Sequence, residues 1–164
     1  MENKPRKILT LCIIHQHPRV LLGMKKKGFG FGKWNGFGGK VEEGESVEVA
    51  ARREVIEEAG IEPIDIEKRG VVAFDFKDGS RSVEVHIFSC SEFSGEPTES
   101  EEMRPQWFSM DEIPFKDMWT ADTYWLPMFF QGKRFKGKFL YDMPTTPDTI
   151  ANVLEKSVEE VDEI

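Results

Sequence analysis

Gly36-Phe37-Gly38-Gly39-Lys40-Val41-Glu42-Glu43-Gly44-Glu45-Ser46 runs into Val47-Glu48-Val49-Ala50-Ala51-Arg52-Arg53-Glu54-Val55-Ile56-Glu57-Glu58-Ala59-Gly60-Ile61, a glycine-dense loop followed by the clearest helix of the chain. Ser46 is suited to cap the first turn, Ala50 and Ala51 favour helix, and Gly60 stands where a left-handed C-terminal cap belongs, so the stretch predicts a helix over Ser46–Ala59. At about 100° per residue, Val47, Ala50, Ala51, Val55 and Ala59 form one apolar arc, and Glu54 and Glu58 project into it. Buried charge needs a partner. With Glu57, three carboxylates crowd one or two turns, where like charges destabilise each other unless a cation neutralises them. Hard oxygen ligands with no nearby His or Cys favour Mg²⁺, with Mn²⁺ as the alternative, over Zn²⁺. The competing explanation is a solvated acidic face matched by Arg52 and Arg53.

Working outward, seven of the chain's 14 glycines fall between Gly28 and Gly44, giving a backbone able to approach a ligand closely. No Gly-Lys-Ser/Thr closes a P-loop and no glycine completes G-x-G-x-x-G before the helix, so neither an NTP-binding P-loop nor a dinucleotide-binding turn is expected. On the N-terminal side, Ile8–Ile14 and Arg19–Met24 read as a hairpin across His15-Gln16-His17-Pro18. On the C-terminal side, Gly70–Phe76 and Ser82–Cys90 read as strands joined through Asp78-Gly79. An acidic loop, Gly95–Arg104, leads to a short strand, Pro105–Met110. A helix over Asp122–Gln131, strained by Pro127, and an alternating strand over Arg134–Asp142 complete the ordered reading. In the tail, Ile150, Val153, Leu154, Val158 and Val161 fit a helix and an edge strand equally well. The mixed order predicts one α+β domain over residues 1–164.

Arg53-Glu54-Val55-Ile56-Glu57-Glu58-Ala59-Gly60-Ile61, preceded by Glu45 across seven intervening residues and by Gly39 across five more, resembles the Nudix box at every fixed position. A chance match is on the order of one in 10⁹ per starting position at average residue frequencies, which reverses the balance against a merely solvated acidic face. The resemblance continues through Val20–Lys26, Trp34–Val41, Glu102–Pro105 and Pro114–Trp119, in the manner of the animal MutT-homologue branch of the family.

It implies the Nudix fold, a mixed sheet sandwiched between helices. It also implies Mg²⁺-dependent hydrolysis of oxidised purine nucleoside triphosphates, 8-oxo-dGTP and 2-oxo-dATP, to the monophosphate and pyrophosphate. The metal ligands it implies are the Gly38 backbone with Glu54, Glu57, Glu58 and Glu102. Glu58 or Glu102 is the catalytic base, with Glu57 beside them, and Arg53 orients the glutamates. It further implies that Lys25 serves the triphosphate and that Thr10, Phe29, Asn35, Phe74, Met103, Trp119, Asp122 and Trp125 build the base pocket. Where mammalian members have two adjacent aspartates after the tryptophan, this chain has Trp119-Thr120-Ala121-Asp122, and weakened recognition of 2-oxoadenine is the expected result. The alternatives are a pyrophosphohydrolase for other nucleoside diphosphate derivatives and a non-catalytic nucleotide-binding module; metal-dependent pyrophosphate release separates them.

Composition narrows the remainder. The chain has 164 residues and a net charge of −8, which argues against a duplex nucleic-acid partner because counterion release needs a basic surface. The charge is split, however: residues 3–41 hold nine Lys or Arg and no acid, whereas residues 42–164 hold 29 acids against 13 bases. A small phosphate ligand on the basic portion is compatible with that split. Cys12 and Cys90 lie in apolar runs and read as reduced core residues, which makes cytoplasm, with nucleus or mitochondrion as further compartments, the expected location. No run reaches the ~18–20 apolar residues of a spanning helix, and a monomer is expected.

Overall fold

In the computed structural model, residues 6–143 and 151–164 are described. The elements are β1 (Lys7–Gln16), β2 (Arg19–Lys25), β3 (Trp34–Asn35), α1 (Val47–Ala59), β4 (Glu62–Pro63), β5 (Ile66–Phe76), β6 (Ser82–Cys90) and β7 (Phe93–Ser94). They continue with β8 (Met103–Ser109), α2 (Asp122–Phe130), β9 (Phe135–Tyr141) and β10 (Val153–Glu160). An eight-stranded mixed sheet runs β10-β9-β5-β6-β1-β2-β3, with β8 also paired to β2. Its parallel pairs are β1–β6 and β5–β9. β4 and β7 form a separate two-stranded ribbon.

The two faces carry separate cores. Ala51, Val55 and Ala59 of α1 pack with Cys12, Ile14, Leu21, Phe37, Phe88 and Cys90. Trp125, Leu126 and Phe129 of α2 pack on the opposite face with Ile13, Val20, Leu22, Val72, Phe135 and Phe139. The alternation Cys12/Ile13/Ile14 and Val20/Leu21/Leu22 between the cores is the period-two signature of strands buried on both faces. This is the expected α/β/α sandwich. Both cysteines are free and buried, and none of the described helices is long and apolar enough to cross a membrane.

The glycine loop does something its sequence did not disclose. β1 and β2 pair only beside their turn, at Ile14–Leu21, His15–Val20 and Gln16–Arg19, and beyond that they diverge. Residues 34–41 fill the gap. Asn35 and Trp34 pair with Gly23 and Met24 of β2, while Phe37, Gly39 and Val41 exchange backbone hydrogen bonds with Cys12, Thr10 and Ile8 of β1. A Cβ at Gly36 would lie 2.7 Å from the Cys12 carbonyl oxygen, and one at Gly38 would lie 1.9 Å from that of Thr10. At these two positions the close approach that requires glycine is to the chain's own strand.

Other differences from expectation have local causes. β5 begins at Ile66 rather than Gly70, because a register shift between Lys68 and Gly70 lets pairing with β6 continue past the glycine. A Cβ at Gly70 would strike the Phe135 ring at 2.6 Å. His15 belongs to β1 rather than to the turn, which is His17–Pro18 with a cis peptide bond. The tail resolves as an edge strand antiparallel to β9, and its own register shift between Val153 and Glu155 breaks the two-residue alternation, which is why the spacing mimicked a helix. Ile150 lies outside the described residues.

Candidate active site

Ser46 Oγ accepts the Val49 N–H at 3.1 Å, and Gly60, at φ 71°, returns its N–H to Ile56. So fixed, α1 presents Glu54 and Glu58 to the loop wedged between β1 and β2. Gly38 N–H donates to Glu58 Oε1 at 2.8 Å. A Cβ on Gly39 would lie 2.7 Å from the Glu54 carboxyl, so the second glycine of the pair is the space that the Glu54 carboxyl takes. Glu58 is 4% exposed. Burial, reinforced by the charges of Glu54 and Glu102 and opposed by the Gly38 N–H and Lys25, pushes its carboxyl up to about 8. Burial also raises Glu54, against the pull of Arg53.

Arg53 is the hub that holds loop to helix. Its guanidinium grips Glu45 through Nε at 2.7 Å and Nη2 at 3.0 Å, donates to Glu54 at 2.9 Å and to Glu57 at 3.3 Å, and reaches the Lys40 carbonyl at 3.1 Å. A planar fork with five donors is the one side chain able to serve this many acceptors. Glu57 is mostly exposed and turned to Arg53. Glu102 accepts from Lys25 Nζ at 3.0 Å and lies 3.6 Å from Lys27 Nζ, and the bond from Lys25 holds its carboxyl below the usual range.

The donor set of Glu54, Glu58 and the Gly38 backbone, with oxygen ligands and no thiolate or imidazole, fits a hard divalent cation. The fit is strongest at Glu58, a buried carboxylate short of positive charge. Among the described residues, no three His, Cys, Asp or Glu side chains already converge at metal-holding distance; Arg53 engages Glu54 and Glu57, and Lys25 engages Glu102.

A cavity of about 280 Å³ is lined by Gly38, Gly39, Glu58 and Lys25 and extends across β6 and β5 to Tyr141 of β9. Thr10, Phe29, Asn35, Phe74, Met103, Trp119, Asp122 and Trp125 all line it. Glu54, Glu57 and Glu102 are not on its wall. Asn35 Oδ1 accepts the Gly36 N–H at 2.9 Å. Trp125 is 1% exposed and stacks on Phe135; its contribution is to donate Nε1–H to Asp122 Oδ1 at 2.9 Å. Asp122 Oδ2 is buried with no partner among the described residues. Burial, against that indole bond, pushes the Asp122 carboxyl up to about 7. The Tyr141 hydroxyl accepts the Ala121 N–H at 2.9 Å, tying the start of α2 to β9.

Phe76, Arg81 and Tyr141 also line the cavity and were not expected there. Phe76 follows from Phe74 by strand alternation, a signal the sequence carries. Arg81 and Tyr141 reach the cavity only through the tertiary fold.

This arrangement, a carboxylate helix docked on a glycine wedge in a mixed sheet between helices, defines a class. Residues 4–129 match the NUDIX domain, and the chain belongs to that family. It is 49% identical over 156 residues to the mouse protein named oxidized purine nucleoside triphosphate hydrolase, covering 95% of this chain and 96% of the mouse one. It is 53% identical over 135 residues to the zebrafish protein of that name, covering 82% and 86%. The crystal structure of a MutT protein from Bacillus halodurans superposes with a TM-score of 0.77 at 28% identity, over 93% of this chain and 97% of the other.

Proposed function

We propose that this chain hydrolyses oxidised purine nucleoside triphosphates, 8-oxo-dGTP foremost, to the monophosphate and pyrophosphate with Mg²⁺ or Mn²⁺. The observation that carries the reading is Asp122 Oδ2, a buried oxygen with no partner among the described residues, at the aromatic end of a cavity whose other end holds Glu58 and Lys25. An unpaired buried acceptor costs about 1–3 kcal/mol, and a base edge with adjacent N–H donors would satisfy it. The names of the mouse and zebrafish relatives support the same substrate class.

The purine stacks against the aromatic wall, and the Asp122 carboxylate accepts its N1–H and N2–H. The Asn35 amide nitrogen, its oxygen already engaged by Gly36, donates to O6. Lys25 draws the phosphates toward Gly38, on the basic portion of the chain. Glu54, Glu58 and the Gly38 backbone would hold the metal, with Glu57 and Glu102 as the outlying ligands, and when bound it supplies charge neutralisation and a more acidic water. Water adds at phosphorus, the P–O bond to pyrophosphate breaks, and Glu58 or Glu102 takes the proton. Free, buried Cys12 and Cys90 suit a monomer in a reducing compartment such as the cytoplasm.

The decisive measurement is pyrophosphate release from oxidised, methylated and normal nucleoside triphosphates with and without Mg²⁺. The expected kcat/KM is highest for 8-oxo-dGTP and lower for 2-oxo-dATP, whose edge calls for a protonated carboxyl that two adjacent acids share more readily. Because Asp122 is held near 7, that preference should widen from about pH 6 to about pH 8.5 as the carboxyl ionises. Ala121→Asp should recover 2-oxo-dATP more than 8-oxo-dGTP. Metal-independent turnover, or equal rates on all purines, would overturn the reading.

A further inference from the structure

Phe29 is 41% exposed and stands between Gly28 and Gly30, both with positive φ, in the loop that joins β2 to β3. Such a loop has little intrinsic reason to hold a bulky ring in one place. The ring is nevertheless stacked on Trp119, with centroids 5.1 Å apart and planes at 29°, and meets Phe76 edge-on. Arg81 also lies over this ring, its guanidinium carbon 3.6 Å from the ring centroid. Arg81 sits at the end of the Asp78-Gly79 turn, and its carbonyl is bonded to Phe76 N–H at 3.2 Å, so the β5–β6 hairpin delivers the cation. Among the described residues Arg81 forms no ion pair, and the ring is the partner of its charge. Phe29 is thus held by both the guanidinium and Trp119, and all three residues line the cavity.

We propose that Arg81 is a positioning residue that latches the Phe29 loop onto Trp119 and so closes the nucleotide cavity on its solvent side. Without the cation, the double-glycine flanks leave Phe29 free to swing from Trp119, and the base end widens. The latch therefore acts on how tightly the nucleotide is held and leaves the reacting end, at Gly38 and Glu58, alone. Guanidinium is better suited than ammonium because its plane stacks as well as attracts. The inference rests on the nucleotide-hydrolase reading above, so its test includes one measurement that needs no substrate.

Arg81→Leu keeps bulk and removes charge; Arg81→Lys keeps charge and removes the plane. Arg81→Leu should raise KM for the preferred nucleoside triphosphate about two- to fivefold, the range of an exposed cation–π contact, with kcat within about twofold and an unchanged Tm. Arg81→Lys should recover some of that loss. In the absence of nucleotide, trypsin should cut after Lys26 and Lys27 faster in Arg81→Leu than in the unmodified chain. In a Phe29→Leu background, replacing Arg81 should have no further effect on KM. Failure of the unmodified chain to hydrolyse any nucleotide would sink the functional reading and leave the cleavage comparison standing. Unchanged KM and unchanged cleavage in Arg81→Leu would overturn the latch, as would an equal effect of Arg81→Leu with and without Phe29, which would mean that Arg81 acts on the substrate directly.

Discussion

The two ends of the cavity are built by different means. The phosphate end comes from one continuous stretch, residues 36–60, in which a wedge of glycines and a single helix turn place Gly38, Glu54 and Glu58 against each other, with Arg53 as their clasp. The base end is assembled from loop 26–33, the β5–β6 hairpin, the start of α2 and the end of β9, which are distant in sequence and meet only when the sheet is complete. Charge management differs correspondingly. At the phosphate end the carboxylates have cationic or backbone partners, whereas at the base end one carboxyl oxygen is buried with none among the described residues. The first end is organised around electrostatics and supports chemistry of one kind. The second is a shaped apolar slot with one polar point, where choice of base is made.

The sharpest way to break this division is Glu58→Gln, which removes charge while keeping shape. It should lower kcat by about 10²–10⁴-fold for every substrate alike, with a Tm in metal-free buffer equal to or above that of the unmodified chain, because a buried acid is relieved. A variant that turned over normally would remove Glu58 from the chemistry, and the same assay on Glu102→Gln would then identify the base. Trp119→Ala probes the other end. Loss of a base stack of about 1–3 kcal/mol should raise KM between about five- and 150-fold with much less change in kcat; a fall in kcat alone would make Trp119 structural.

Asp122→Asn, followed as stability against pH, gives the finest distinction. The folded chain holds the Asp122 proton to about pH 7, whereas the ordinary value of 3.8 applies in the unfolded chain, so folding takes up a proton between those limits. The stability contributed by that proton is fully present below about pH 4 and lost as pH rises through about 7. Asn keeps the acceptor for Trp125 and does not titrate. The difference in Tm between the variant and the unmodified chain should therefore shift steadily in favour of the variant from about pH 4 to about pH 8. A difference independent of pH would show that Asp122 is ionised throughout.

The same contrast explains what could be read from the sequence. α1, its caps and the inward-facing Glu54 and Glu58 were legible because helical period and cap chemistry are local. So was the resemblance, because the spacing from Gly39 to Ile61 is rigid. The pocket residues Phe29, Asn35, Trp119 and Asp122 came from resemblance; nothing local distinguishes Trp119 from a core tryptophan. Arg81 and Tyr141 were illegible, since each gains its role from a partner on another element, Phe29 and the Ala121 N–H respectively. The strand contact of Gly36 and Gly38 was illegible for a related reason: sequence shows that backbone comes close to something and does not say to what.

The wedge also sets where this molecule is open to evolutionary change. Residues 34–35 are stitched to β2 and residues 37–41 to β1, so an insertion between them would have to push the two strands apart, and a single methyl at Gly38 would drive into β1. By contrast, a Cβ built at Gly28 or Gly79 meets nothing within 4 Å, so what holds glycine there is the local positive φ and not a neighbouring strand, and both lie in turns that border the base end. Drift in loop length is therefore steered to the rim that contacts the base and away from the hydrolytic centre, so descendants of this chain could acquire a new nucleobase preference while inheriting the old reaction intact.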